Sequence, residues 1–188
     1  MTHTGIAGTS NRPGLFSARL HLDKPISKKY KRNQQRRTML PVERGTRPMF
    51  KLLVPVDGSR PSVRAVRHAI KLAASGLDVS VLLLNVQPSP LPPSTAKSRR
   101  RAEMLQQLEQ ADMATAPAIA LLEKAGVPYK RYARSGAPAD GILKLARDEK
   151  CDAIAMGTRG MGAIAGLVLG SVAIKVLQLA PVPLTLVK

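Results

Sequence analysis

Between Met49 and Lys188 the spacing of hydrophobic positions alternates between two periods. Lys51-Leu52-Leu53-Val54-Pro55-Val56 is a short apolar run ended by Asp57-Gly58-Ser59, a strand leaving into a turn. Val63, Val66, Ala69, Ile70 and Ala73 then recur at helical spacing. Ser59 or Ser62 can cap this helix, Pro61 suits its first turn, Gly76 closes it, and His68 falls off its apolar stripe toward solvent. Val79–Val86 is nearly continuously apolar, the pattern of a strand buried on both faces of a parallel sheet. Residues 87–97 carry four prolines and read as a loop. A helical segment follows from about Ser98 to Lys124, with Pro117 placed to kink or split it. Val127–Ala133 is a more polar third strand, expected nearer a sheet edge. Gly136-Ala137-Pro138-Ala139-Asp140 opens a helix that turns Ile142, Leu143, Leu145 and Ala146 to the core. Cys151–Met156 is a fourth strand. A glycine-rich stretch, a helix to about Leu179 and a fifth strand, Val182–Val187, complete the chain, with Pro183 near the last strand's start.

Strands and helices alternate without an internal repeat. This order predicts right-handed crossovers and a parallel sheet with helices on both faces, an α/β Rossmann-like architecture. Ligands in such sheets bind beyond the carboxyl ends of the strands, where the winding reverses. If the first strand neighbours the fourth, Pro55-Val56-Asp57 and Met156-Gly157 meet at that crevice.

Candidate chemistry gathers at the same place. Met156-Gly157-Thr158-Arg159-Gly160-Met161-Gly162 is followed by Gly170-Ser171 at the start of a helical pattern. Glycines admit tight turns and close approach of a ligand to the backbone, and successive free N–H groups form an anion-binding concavity. Ser171 can cap the helix and hydrogen-bond a phosphate. Arg159 is either a phosphate contact or a solvated loop residue. The glycines alone are equally compatible with a phosphate cradle and with an empty strand-to-helix turn.

Composition narrows the field. The apolar fraction is 44% with only 3% aromatics and no Trp, so the core must be built from Leu, Val, Ile and Ala. Net charge is +18, which favours polyanionic or phosphorylated partners. Half of that excess lies in residues 1–48, where 11 Lys/Arg face two acids, Asp23 and Glu43, without sustained periodicity. These residues read as a disordered basic extension. It would be either a nucleic-acid or import segment, a plain solvated tail, or a stretch preceding a true start at Met39 or Met49. Cys151 stands alone, so no intramolecular disulfide forms, and it reads as a small buried residue at a strand start. His3, His21 and His68 have no metal-ligand spacing, so neither a metal site nor a Ser-His-Asp site is expected. The uncharged run Gly160–Ile174 is too short and glycine-rich to span a membrane, and no secretory signal pattern is present. A cytoplasmic location follows as the expectation.

Residues 49–188 resemble the universal stress protein family. The resemblance rests on the strand ending Val54-Pro55-Val56-Asp57-Gly58-Ser59 and on Gly157-x2-Gly160-x9-Gly170-Ser171, the full nucleotide motif of the family's ATP-binding branch. Gly136-Ala137-Pro138-Ala139-Asp140 also looks like the family's start to its third helix. The resemblance implies a five-stranded sheet of order 3-2-1-4-5 (the adenine nucleotide alpha hydrolase-like arrangement). It also implies a homodimer paired through the edge strand Val182–Val187 and bound ATP, with Mg²⁺ carried by the nucleotide. By position, Pro55, Val56 and Asp57 would line the adenosine side and Val86 would cover the base. Met156 and Gly157 would approach the ribose, and Gly160, Gly170, Ser171 and Val172 would hold phosphates. Ala173 departs from the Ser or Thr often found there, which removes one phosphate contact.

These residues point to an adenine-nucleotide module acting in stress response through occupancy. No base is placed to activate water, so at most slow hydrolysis or self-phosphorylation is expected, with no catalytic residue assigned. The alternatives are an apo dimer with an empty glycine loop and a nonspecific nucleic-acid-associated protein acting through residues 1–48. A flavin role has the fold but no residue in its favour.

Overall fold

The computed structural model describes residues 49–88, 97–160 and 169–188, together with a two-residue antiparallel ladder, Phe16–Ser17 with Thr38–Met39. The expectation of disorder over the rest of residues 1–48 lies outside the described residues, as do the prolines at 90, 92 and 93 and Met161-Gly162 of the glycine stretch.

Five strands, β1 (Phe50–Pro55), β2 (Val79–Gln87), β3 (Tyr129–Ser135), β4 (Ala153–Gly157) and β5 (Leu184–Val187), form one sheet. All pairings are parallel and the order is 3-2-1-4-5, as expected. Four helices connect them: α1 (Arg60–Ala74), α2 (Lys97–Ala125), α3 (Pro138–Asp148) and α4 (Ser171–Leu179). The strand period of two assigns alternate residues to opposite cores. Leu52, Val54, Val81 and Leu83 pack under α1 and α2 with Val66, Ala69, Ile119 and Leu122. Leu53, Leu82, Leu84 and Ile154 pack under α3 and α4 with Ile142, Leu145 and Val176. Each fully buried Val, Leu or Ile among them contributes about 1.5–3 kcal/mol. The polar third strand does lie at an edge. Its buried Arg131 is paired with Asp112 of α2, which ties that edge to the helix above it.

Local details refine the sequence reading. Ser59 rather than Ser62 caps α1, its hydroxyl accepting from the Ser62 N–H at 3.3 Å. Gly76 and Gly126 take positive φ of 94° and 66° just beyond α1 and α2. Pro117 does not split α2, which runs unbroken over 29 residues. Proline removes the hydrogen bond to the carbonyl four residues back, and Pro117 and that residue, Met113, are both exposed, so the lost bond lies on the solvent side of the helix. His68 is half-buried instead of solvent-facing. The end of β5 explains this, since Val187 and Lys188 lie against the same side of α1. Among the described residues no helix is long and apolar enough to cross a membrane.

Candidate functional site

The carboxyl ends of β1, β2 and β4 and the first turns of α3 and α4 enclose a cleft of about 470 Å³, within the usual range for small-molecule sites. It lies at the reversal of winding between β1 and β4. Pro55, Val56, Asp57, Val86, Met156, Gly157, Arg159, Gly160, Gly170, Ser171 and Val172, the candidate nucleotide contacts, all border it.

The floor comes from β1. Pro55 and Val56 line it, and Val56 is held at both its N–H and its carbonyl. Its N–H donates to the Leu84 carbonyl at 2.7 Å. Its carbonyl accepts from the side-chain amide of buried Asn85, also at 2.7 Å, and Asn85 Oδ1 accepts from Gln87 Nε2 at 2.9 Å. Asp57 follows at the rim. Its Oδ1 accepts the Ser59 N–H at 3.0 Å, closing a turn in which Gly58 has φ of 88°. That turn aims the start of α1, including Ser62, at the cleft.

One wall is apolar. Val86, at the end of β2, lies beneath α3, where Gly141 lets the helix come down on it: a Cβ there would stand 3.0 Å from Val86 Cγ2. Pro138 and Ile142 of α3 and Leu84 extend this wall, and Met156 adds its side chain from β4.

The opposite wall is backbone. Gly157 ends β4, and Thr158 donates its N–H to the Val187 carbonyl at 3.0 Å. The chain returns where the Gly170 N–H donates to the Thr158 carbonyl at 2.8 Å. Gly160 passes over Asp57 so closely that a Cβ would lie 2.5 Å from Oδ2. Arg159 lines the cleft between them, as its one cation among the described residues.

The residue capping α4 differs from the expectation. Gly170, not Ser171, is the N-cap, in extended conformation and without a side-chain cap bond. Ser171 is the first helical residue. An α-helix leaves its first N–H groups without intrahelical acceptors, and the Gly170 N–H is already used. Among the described residues the N–H groups of Ser171, Val172 and Ala173 have no hydrogen-bond acceptor, and with exposed Ser171 they border the cleft at the positive end of the helix. Among the described residues no cluster of His, Cys, Asp and Glu could hold a metal ion.

Seven lining residues were not expected as nucleotide contacts: Ser62, Leu84, Pro88, Pro138, Ile142, Leu169 and Ala173. Leu84 and Val86 share a face at spacing two, a signal present in the apolar run. Pro138 and Ile142 reach the cleft only because α3 leans over β2, which no local pattern shows.

The universal stress protein family model matches residues 49–188. A universal stress protein of Thermus aquaticus is 37% identical over 142 residues, covering 74% of this chain and 100% of the relative. The solved structure of protein MJ0577 has a TM-score of 0.63 at 28% identity, over 75% of this chain and 97% of that one. A universal stress protein solved in complex with cAMP is 26% identical with a TM-score of 0.52, over 73% of this chain and 96% of that one. From the matched domain and the 37% identity along the whole of the Thermus aquaticus relative, the chain belongs to the universal stress protein family.

Proposed function

We propose that the cleft holds an adenine nucleotide, ATP with Mg²⁺ carried by the triphosphate, and that occupancy, read by partners during stress, is the output. In this reading Pro55, Val56 and Asp57 border the adenosine, with Asp57 accepting from adenine or ribose. Val86 covers the base, Met156 and Gly157 border the ribose, and Gly160, Gly170, Ser171 and Val172 hold phosphates beside Arg159. The observation that carries the reading is the cleft's two-ended character: an apolar wall at Val86 and Ile142, and the open N–H groups of α4 at the other end. The related protein solved with cAMP supports the adenine class. The engagement of Asp57 Oδ1 by the Ser59 N–H favours a holding role over activation of water. The protein acts as a cytoplasmic homodimer paired through the edge segment Val182–Val187, whose strand β5 begins only at Leu184, and residues 1–48 form an extension the cleft does not need.

Calorimetry with ATP and Mg²⁺ on wild type and Ser171→Pro tests this. Proline suits the first helical position, and Gly170, with ψ of 158°, suits the residue before it. The substitution removes one N–H and one hydroxyl while leaving the helix intact. Hydrogen bonds to charged groups are each worth about 1.5–3 kcal/mol, so ATP affinity should fall at least about tenfold while adenosine affinity holds. No heat from wild type overturns nucleotide binding. Equal ATP affinity in Ser171→Pro overturns the phosphate assignment.

A further inference from the structure

Helix α1 carries a second feature, on the side away from the core. Arg60, Arg64, Arg67 and Lys71 are spaced four, three and four apart, and all four are exposed. At 100° per residue they fall within about 60° of the helix circumference, in a line about 16 Å long. Ala65, Val66 and Ala69 occupy the opposite, buried side. No Asp or Glu occurs between Asp57 and Asp78. The acids in the described ion pairs serve other cations: Asp112 with Arg131, Asp148 with Arg134 and Lys144, and Asp140 with Lys175. Among the described residues no carboxylate pairs with any cation of the α1 line. The line borders a depression of about 400 Å³ at the end of β5, where His68, Val187 and Lys188 join Arg64, Arg67 and Lys71.

We infer that this face of α1 binds the phosphate backbone of duplex nucleic acid. A straight, regularly spaced row of cations matches a polyanion whose charge is periodic: a duplex presents about ten phosphates over the same length. A membrane surface fits poorly, because an interfacial helix must insert its apolar side, and here that side is buried in the core. Base stacking has no platform on this face, since Tyr129 and Tyr132 are buried in β3. Binding is therefore electrostatic and independent of sequence.

Fluorescence anisotropy of the full chain with a labelled DNA duplex two helical turns long, over a salt series, tests the inference. Each phosphate contact contributes about 0.9 to the slope of log affinity against log salt. The variant Arg64→Gln/Arg67→Gln/Lys71→Gln should flatten that slope by about 2.7, with unchanged circular dichroism and ATP affinity. A control of equal charge change on exposed residues elsewhere, Lys124→Gln/Lys130→Gln/Arg147→Gln, should flatten it by less than about 1. Equal flattening in both variants, no binding by wild type, or an unaltered slope in the α1 variant overturns the inference. So does a variant that keeps duplex binding but loses binding to anionic phospholipid vesicles.

Discussion

Asn85 holds the Val56 carbonyl: its side-chain amide donates across 2.7 Å from near the carboxyl end of β2 to the residue just beyond β1. Asn85 is 1% exposed and Val56 is 3% exposed, so no solvent stands ready to replace this bond. The contact sets the position of the last peptide before Asp57, and with it the floor of the cleft. Asn85→Leu keeps the approximate volume and removes the donor. Leaving a buried acceptor without its partner costs about 1–3 kcal/mol. For a chain of this size that corresponds to a fall in melting temperature of about 2–12 °C, read by thermal denaturation. Nucleotide affinity should fall as well. Asn85→Asp should cost more, because it points a carboxylate at the same carbonyl. A melting temperature unchanged in both variants would show that the tether does not constrain the strand end.

The motif glycines do different jobs, and single alanine substitutions separate them. A Cβ on Gly157 would lie 2.6 Å from Pro61 Cβ and 2.8 Å from the Pro61 backbone carbon. Backbone cannot swing aside, so Gly157→Ala must push the start of α1 off the end of β4, at a cost of about 1–3 kcal/mol. Among the described residues, the nearest neighbours of a Cβ on Gly170 would be Arg159 Cα and the Thr158 carbonyl oxygen, at 3.6 Å, which is ordinary contact. Its φ of −78° suits any residue. Gly170→Ala should therefore change stability by less than about 1 kcal/mol, the loss of a good N-cap being offset by reduced freedom of the unfolded chain. Urea denaturation of the two variants side by side reads the contrast. If Gly170→Ala proves the more damaging, the division of roles is wrong.

How much of this was legible in the sequence depended on whether a feature was local. The strands and helices follow from period and caps, and the sheet order places Asp57 and Gly157 at one crevice. The edge position of β3 follows from its polarity. What local pattern does not carry is contact between distant elements. Gly157 reads as a residue cleared for a ligand, yet the object it clears is Pro61. Gly141 reads as an ordinary residue inside α3, yet it lets that helix settle on Val86. Asn85 sits in an apolar run as an apparent interruption, and only the neighbouring strand supplies its purpose. His68 reads as solvent-facing until the end of β5 is placed beside it.

Cys151 gives the fold a dependence on alkaline pH. It is 4% exposed just before β4, and burial, with Glu149 nearby, pushes its thiol up to about 11. In the unfolded chain the thiol ionises near 8.5. Between these values the unfolded state holds fewer protons than the native state, so stability falls as pH rises. Below about pH 8 the thiol is neutral in both states and contributes no pH dependence. By pH 9.5 the loss from this group is about 1.4 kcal/mol. Tyrosines and lysines titrate in the same range, so the measurement is a difference. Urea midpoints of wild type and Cys151→Ala are compared at pH 7.5 and 9.5. The alanine variant starts less stable, because a small cavity replaces the sulfur. The gap between the two proteins should narrow by about 1 kcal/mol at the higher pH, since the variant has no thiol to ionise. A gap that stays constant or widens would mean that the native thiol ionises as readily as the unfolded one.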